Sequence, residues 1–287
     1  MTMNLKDRLI KLCKMNEVEL FSHMRTFLKK HGYNILRPSS LSYTIAEAAD
    51  KRKRLPVCLV AHLDTVFCYP PTDFFYDQDH EVLWSPQGLG TDDRAGVLMI
   101  KNLIERGFYP SIILTTGEEQ GGIGAKVLVE DYPECPFKNI KFLIELDRES
   151  YNDCVFYTCD NKEFKEYISN FGFKEAIGTF TDIRIIAPQW GIAAVNLSVG
   201  YQNEHSNGEY IVLSDFKNIE EKVSDILLTS NEAPSFKYVE KSCIRICQLC
   251  QREIPFTEFD YRFKDSDGEI YRLCEDCAQQ VRAWNRD

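Results

Sequence analysis

Four short, nearly unbroken apolar runs constrain the fold of this chain more than any other feature. They occupy residues 56–62, 111–116, 140–146 and 192–199; the second reads Ser-Ile-Ile-Leu-Thr-Thr. A strand that is apolar on both sides must be covered on both faces, as in α/β sheets. Helical patterns follow the runs, at 94–105, 124–130, 161–170 and 214–228. Strands alternating with helices predict an α/β fold, with a mostly parallel mixed sheet flanked by helices on both faces. Upstream, residues 4–31 predict one or two amphipathic helices with Leu20, Met24, Phe27 and Leu28 on one face, and an alternating strand is expected near 43–48.

In open α/β sheets, ligands bind at the carboxyl ends of the strands. Here those ends carry His62-Leu-Asp64, Gly117-Glu118-Glu119, Asp147 and His205. Asp92 and Asp93 lie in Gly88-Leu-Gly-Thr-Asp-Asp-Arg-Ala-Gly96, at the start of a predicted helix. Taken singly, each has an ordinary explanation. A His at a strand end is commonly a satisfied polar residue, a Glu-Glu pair a solvated turn, and Asp92 a helix N-cap. Taken together, those explanations need a coincidence at every strand end of one sheet. They also leave a cluster of negative charge with nothing to neutralise it. Two His and three carboxylates suit a pair of borderline divalent ions such as Zn²⁺. One carboxylate can bridge both ions, which can share a water, lower its pKa and polarise a substrate carbonyl. A further carboxylate beside that water can act as general base and then protonate a leaving amine.

In order, His62-Leu-Asp64, Gly-Thr-Asp92-Asp-Arg-Ala-Gly, Gly-Glu118-Glu119, Glu-Leu-Asp147 and His205-Ser-Asn-Gly-Glu209 resemble the five motifs of the co-catalytic zinc peptidases. These are the aminopeptidase, carboxypeptidase and deacylase families that share one phosphorylase-like, aminopeptidase-type α/β fold. The resemblance spans about residues 55–215. It implies that Asp92 bridges two metals, with His62 and Asp147 completing one site and Glu119 and His205 the other. Glu118 would be the general base, and Asp64 would orient the imidazole of His62. A cis Asp92–Asp93 peptide is implied as well. The expected ions are two Zn²⁺, with Co²⁺ or Mn²⁺ as substitutes. Asp182 resembles a family Asp near the pocket and reads equally as a helix N-cap. Arg94 and Tyr201 are candidates for contact with substrate or a developing oxyanion, set against a surface salt bridge and a packed ring. Glu209 reads as a support for the His205 loop.

Many members of these families carry a whole inserted domain. Asp147 and His205 lie 58 positions apart and His62 and Asp92 lie 30 apart, so neither interval holds one. An open, aminopeptidase-like site is expected. The expected activity is hydrolysis of a peptide or amide bond by an aminopeptidase-type exopeptidase. The alternatives are an N-acyl amino acid deacylase or carboxypeptidase-type amidohydrolase, and a non-catalytic scaffold whose zinc module binds a protein partner.

The cysteines mark a second module. Six of the 11 are scattered without paired spacing (Cys13, Cys58, Cys68, Cys135, Cys154 and Cys159) and read as reduced thiols. The other five crowd the tail, as Cys243, Cys247-Gln-Leu-Cys250 and Cys274-Glu-Asp-Cys277, with 23 residues between the two C-x2-C knuckles. That spacing predicts one structural Zn²⁺ on Cys247, Cys250, Cys274 and Cys277, with Cys243 spare. A hairpin over 259–273 and a helix over 278–284 would complete a treble-clef-like module, similar to the zinc-binding domain of Clp-type unfoldases. The expected domains are therefore 1–230, a linker at 231–241, and 242–287. The tail carries seven Lys/Arg and nine Asp/Glu, which favours a protein contact or self-association over DNA. The net charge of −10 disfavours nucleic-acid binding generally. No run is long enough to span a bilayer, and residues 1–14 lack a signal-peptide apolar core, so a cytoplasmic protein is expected.

Overall fold

Asn16 splits the N-terminal helical stretch in two. Its side chain accepts from the Glu19 amide at 2.9 Å, and the Glu19 carboxylate accepts from the Asn16 amide at 3.1 Å. This reciprocal cap starts a second helix. The computed structural model describes residues 3–241, 245–250, 253–254, 261–264 and 270–284. In chain order the first unit runs α1 (Leu5–Cys13), α2 (Glu17–Lys30), β1 (Tyr33–Ile35), β2 (Tyr43–Ala48), β3 (Val57–His62), β4 (Phe75–Asp77), β5 (Val82–Trp84) and α3 (Thr91–Glu105). It continues β6 (Ser111–Thr115), α4 (Ile123–Asp131), β7 (Phe142–Arg148), β8 (Asp153–Val155), α5 (Lys162–Ser169), β9 (Lys174–Glu175) and α6 (Ile183–Trp190). It ends with β10 (Ala194–Ser198), β11 (Tyr201–Gln202), β12 (Tyr210–Val212) and α7 (Leu213–Thr229).

The main sheet has eight strands in the order β1-β2-β6-β3-β7-β10-β8-β9. Its centre, β6-β3-β7-β10, is parallel and consists of the four apolar runs. The edges add antiparallel pairs at β1-β2, β2-β6 and β10-β8. Successive side chains of a strand point to opposite faces, and the burial follows. Leu59, Ile112, Ile144 and Val195 enter the core beneath α1, α2, α3, α5 and α7. Val60, Ile113, Leu143 and Ala194 enter the core beneath α4 and α6. Both faces are thus covered, as the unbroken apolar runs require.

Two differences from expectation stand out. The short α6 has Pro188 inside it, which obscures a helical pattern in the sequence. The second concerns residues 231–241, expected to be a linker. The two compact units divide between Glu240 and Lys241, so nearly all of that stretch belongs to the first. Phe236 is buried among Phe142, Phe164 and Tyr167. Backbone bonds tie Phe236 to Lys141 and Ala193, and Tyr238 to Gly191. Burying a Phe side chain contributes roughly 1.5–3 kcal/mol, enough to hold a Pro- and Asn-bearing segment down.

The interval between His62 and Asp92 holds only the β4–β5 hairpin, and that between Asp147 and His205 holds elements of the two sheets with α5 and α6. Neither contains an inserted domain. Strands β11-β12-β5-β4 form a second, four-stranded sheet that the sequence did not announce. No helix among the described residues is long and apolar enough to cross a membrane.

The second unit contains β13 (Arg245–Ile246), β14 (Glu253–Ile254), β15 (Tyr261–Lys264), β16 (Ile270–Leu273) and α8 (Glu275–Trp284). β15 and β16 form the expected hairpin, while its turn at 265–269 lies outside the described residues. Cys243 also lies outside them. The final helix begins inside the second knuckle, three residues earlier than the sequence pattern indicates. Its small core gathers Ile254, Leu273 and Ala278 around three of the knuckle cysteines.

Candidate metal centre

Asp92 reaches the middle of the site because the start of α3 is not helical. Gly90 and Thr91 turn the chain, the Asp92–Asp93 peptide is cis, and both Asp residues leave helical backbone angles. Asp92 therefore does not cap its own helix. Glu209 serves that end from across the fold. Its carboxylate accepts from the amides of Gly90 and Asp92, each at 3.1 Å, and from the amide and hydroxyl of Thr91. A carboxylate at a helix N-terminus satisfies orphan N–H groups and suits the helix dipole. Glu209 lies just before β12, so the same contacts lock the β11–β12 connection, which carries His205, onto the start of α3. Glu209→Ala is expected to destabilise the first unit by at least about 3 kcal/mol, because several buried donors lose their acceptor at once. A loss under about 1 kcal/mol in urea denaturation would show that the cap is dispensable.

The two carboxylate oxygens of Asp92 face two different imidazoles. Oδ1 lies 2.9 Å from His62 Nε2 and Oδ2 lies 3.1 Å from His205 Nε2. His62 Nε2 is also 3.3 Å from Asp147 Oδ1, and His205 Nε2 is 3.0 Å from Glu119 Oε2. The five residues named from sequence thus form two half-sites joined through Asp92. His62 ends β3 and is buried, whereas His205 sits on the exposed connection with φ +60° and half its side chain in solvent. A non-glycine residue in that region is strained and is held there by its surroundings. Here the Ser206 hydroxyl donates to the Asn203 carbonyl, and the Glu209 amide donates to the Ser206 carbonyl.

Asp64 connects the two halves. One oxygen lies 3.3 Å from His62 Nδ1, and the pair accepts from the Glu118 and Glu119 amides at 3.1 Å each. One carboxylate therefore positions an imidazole and the turn bearing both glutamates. That turn needs Gly117, which adopts φ +67°, before it feeds α4. Glu118 faces the pocket, and no hydrogen bond among the described residues holds its carboxylate.

Electrostatics favour a cation here. Burial, then the neighbouring carboxylates, pushes Glu119 up to about 7 and Glu118 up to about 9. Burial and Asp92 likewise raise Asp147 to about 6, against the pull of His62. Burial alone would lower His62, yet Asp147, Asp64 and Asp92 hold it well above its usual value. Glu119 Oε1 is buried without a partner. A donor set of this kind, crowded with acids and missing a hydrogen-bond partner, fits divalent cations. Ligand atoms of His62, Asp92 and Glu119, and of His62, Asp93 and Asp147, cluster within 4.8 Å.

The three proposed substrate contacts separate. Tyr201 lines the pocket and donates to Asp147 Oδ1 at 3.2 Å. Arg94 is only 3% exposed and points away, donating to the carbonyls of Asp64 at 2.7 Å and Met15 at 3.4 Å. It ties the α1–α2 turn to the end of β3 and is no surface salt bridge. Asp182 is fully buried, accepts from the Thr115 hydroxyl, and makes no side-chain cap to α6. Neither Arg94 nor Asp182 lines the pocket.

Sequence reading placed Asp93 in the cluster without a role, and it missed Thr181, Asn196 and an acidic pair. Asp93 accepts from the amides of His62 at 3.2 Å and Gly96 at 2.9 Å. Thr181 donates to Asp147 Oδ2 at 3.1 Å. Asn196 brackets the Asp147 backbone, accepting from its N–H and donating to its C=O at 2.9 Å each. A polar Asn inside a buried strand was a usable signal, since such groups are retained with partners. The acidic pair Glu149 and Glu204 sits on the pocket wall and had no such signal.

In the second unit, the sulfurs of Cys247, Cys250, Cys274 and Cys277 lie within 4.8 Å of one another, and Cys250 and Cys274 are 3.8 Å apart. Two thiolates on a tetrahedral zinc, each about 2.3 Å from it, stand at about that separation.

No family model matches the chain, and no curated protein matches it. Solved structures do. The aminopeptidase PepT from Bacillus cereus aligns with 78% of this chain and 97% of its own, at 15% identity and a TM-score of 0.64. A tripeptidase from Staphylococcus aureus covers 80% and 98%, at 14% identity and 0.65. The TET1 peptidase of Pyrococcus horikoshii, which can assemble into a tetrahedron or a large octahedral shell, covers 78% and 99%, at 13% and 0.58. The chain therefore has the fold of these peptidases.

Proposed function

We propose that this protein is a co-catalytic metallohydrolase of the aminopeptidase type, cleaving the bond after a free amino terminus. The observation that carries this reading is Asp92, whose two oxygens each face a different imidazole with a further carboxylate beside it. His62, Asp92 and Asp147 would hold one divalent ion, and Asp92, Glu119 and His205 the other, with Zn²⁺ the best match to the donors. When bound, the ions supply a water of lowered pKa and polarise the scissile carbonyl. Glu118, whose carboxylate has no hydrogen-bond partner among the described residues, would accept a proton from the attacking water and return it to the leaving amine. Tyr201 and Thr181 hold Asp147, and Asp64 holds His62 and the Glu118 turn.

The pocket walls support the amino-terminal specificity. Glu149 and Glu204 both line the pocket; Glu149 lies beside Arg148, so Glu204 is the carboxylate that would meet an α-ammonium group. Among the described residues, Arg148 is the one Arg or Lys on that lining, and it lies 3.5 Å from Glu149 and 3.9 Å from Asp153. A carboxypeptidase or N-acyl amino acid deacylase needs a cation for the substrate carboxylate, and this one is flanked by two carboxylates of the protein itself. Peptides with free amino termini are expected to be cleaved, and their N-acetylated counterparts at least about a hundredfold less efficiently, since a lost buried charge pair costs several kcal/mol. Equal rates on both would move the assignment to the deacylase reading.

The four-cysteine module is proposed to bind one structural zinc and to serve a protein contact, self-association included. Metal analysis of the full chain is expected to give about three equivalents, and about two in a Cys247→Ser, Cys274→Ser variant. Equal content in the two proteins would remove the structural zinc.

A further inference from the structure

A second hollow of about 300 Å³ lies between α1, α2 and α3. Arg8 and Lys11 come to it from α1, His23 from α2, and Lys101 and Glu105 from α3. Its floor is apolar, with Leu12 and Leu98. In a chain of net charge −10, three cationic heads and an imidazole share this one space with a single carboxylate.

The carboxylate is already used. Glu105 accepts from Arg8 Nη2, so its charge is largely spent on that pair. Lys11 and Lys101 have no carboxylate within ion-pair distance among the described residues. Lys101 is only 8% exposed. Its Nζ donates to His23 Nε2 at 3.1 Å and sits 3.6 Å from the centre of the Phe27 ring. An ammonium has three N–H groups, so one is left for another acceptor. Burial lowers Lys101 to about 8, with Arg8 and Lys11 pushing the same way against Glu105. Burial, then Lys101 and Lys11, lowers His23 too. Like charges crowded together with a single carboxylate among them reverse the balance of the acidic cluster at the candidate metal centre.

We propose that this hollow is a binding site for a phosphate group, either free or on a small molecule, held by Lys101 and Lys11 with Arg8 and His23 at its sides. Lysine ammonium groups bind phosphate as point charges, and Lys101 and Lys11 supply two of them. A phosphate near neutral pH carries between one and two negative charges, which two ammonium groups can meet. The site does not depend on the metallohydrolase reading. It sits on the same helix as Asp92, nine positions along.

The test is calorimetric titration of the metal-loaded full chain with inorganic phosphate at constant ionic strength, against Lys101→Met and Lys11→Gln. Phosphate is expected to bind at least about tenfold more weakly to Lys101→Met and several-fold more weakly to Lys11→Gln. Succinate, whose two negative charges are spread along a carbon chain, is expected to bind the wild type at least about tenfold more weakly than phosphate, which concentrates its charge on one group. Phosphate affinity unchanged in Lys101→Met would place the anion elsewhere, such as on the metal centre, and overturn the proposal. So would absent binding, or succinate binding as tightly as phosphate. If Lys101→Met fails to fold, the Lys11→Gln titration decides alone. A phosphate ester that binds more tightly than phosphate itself, and loses that affinity in the same variants, would identify a small-molecule ligand as the source.

Discussion

Glu118→Gln is expected to lower kcat by about 10²- to 10⁴-fold, equivalent to roughly 3–5.5 kcal/mol, with metal content and KM little changed. The substitution keeps the shape of the side chain and removes only its capacity to accept and return a proton. Its backbone amide, which donates to Asp64, is untouched. Folding and metal binding should therefore persist. Glu118 suits the role because its carboxylate faces the pocket and is tied to no other side chain among the described residues. Burial and the acids Asp147, Asp182 and Asp92 push it up to about 9, and a nearby divalent charge acts in the opposite direction, toward the ionised base. A panel of free-amino peptides hydrolysed at the wild-type rate by Glu118→Gln would end the mechanism and leave a scaffold with a zinc module.

Gly96→Ala is expected to disrupt the metal centre more than any other single-methyl change. A Cβ at position 96 would stand 1.9 Å from the Leu146 carbonyl oxygen and 2.5 Å from Asp93 Oδ1. The first contact is backbone, so no side-chain rotation relieves it. Helix α3 must withdraw from β7, and with it Asp92 from Asp147. Overpacking a close interior contact typically costs about 1–3 kcal/mol or more. Misplacing reacting groups by about an ångström costs about a hundredfold in rate. The expected outcome is a lowered melting temperature, less than one tightly bound metal at the first unit, and activity reduced at least about a hundredfold. Wild-type stability and metal content in Gly96→Ala would show that α3 and β7 are not packed this closely.

Much of the fold was readable because burial leaves a mark on residue choice. The four central strands are apolar on both faces, and α4, α5 and α7 appear within a residue or two of their patterns. The edges were not readable. Strands β9 and β11 have two residues each, too few to show any period. The segment at 231–241 looked like a linker because its Asn, Pro and Ser outnumber its anchors, while Phe236 and a few backbone bonds decide the place of most of it.

The chain by itself singled out the candidate ligands, because His and carboxylate residues recur at the strand ends of one sheet, although each alone has an ordinary explanation. Tertiary structure alone decided how they meet. Glu209 finds Thr91 across 118 positions and Asp64 finds Glu118 across 54, and nothing local in either pair announces the other. The same holds for Arg94, whose polarity suggested a ligand contact and whose burial makes it a brace. Residue type is set by the chemistry a position must perform or tolerate, but a long-range contact is set by where the sheet order brings two segments, which no local pattern encodes.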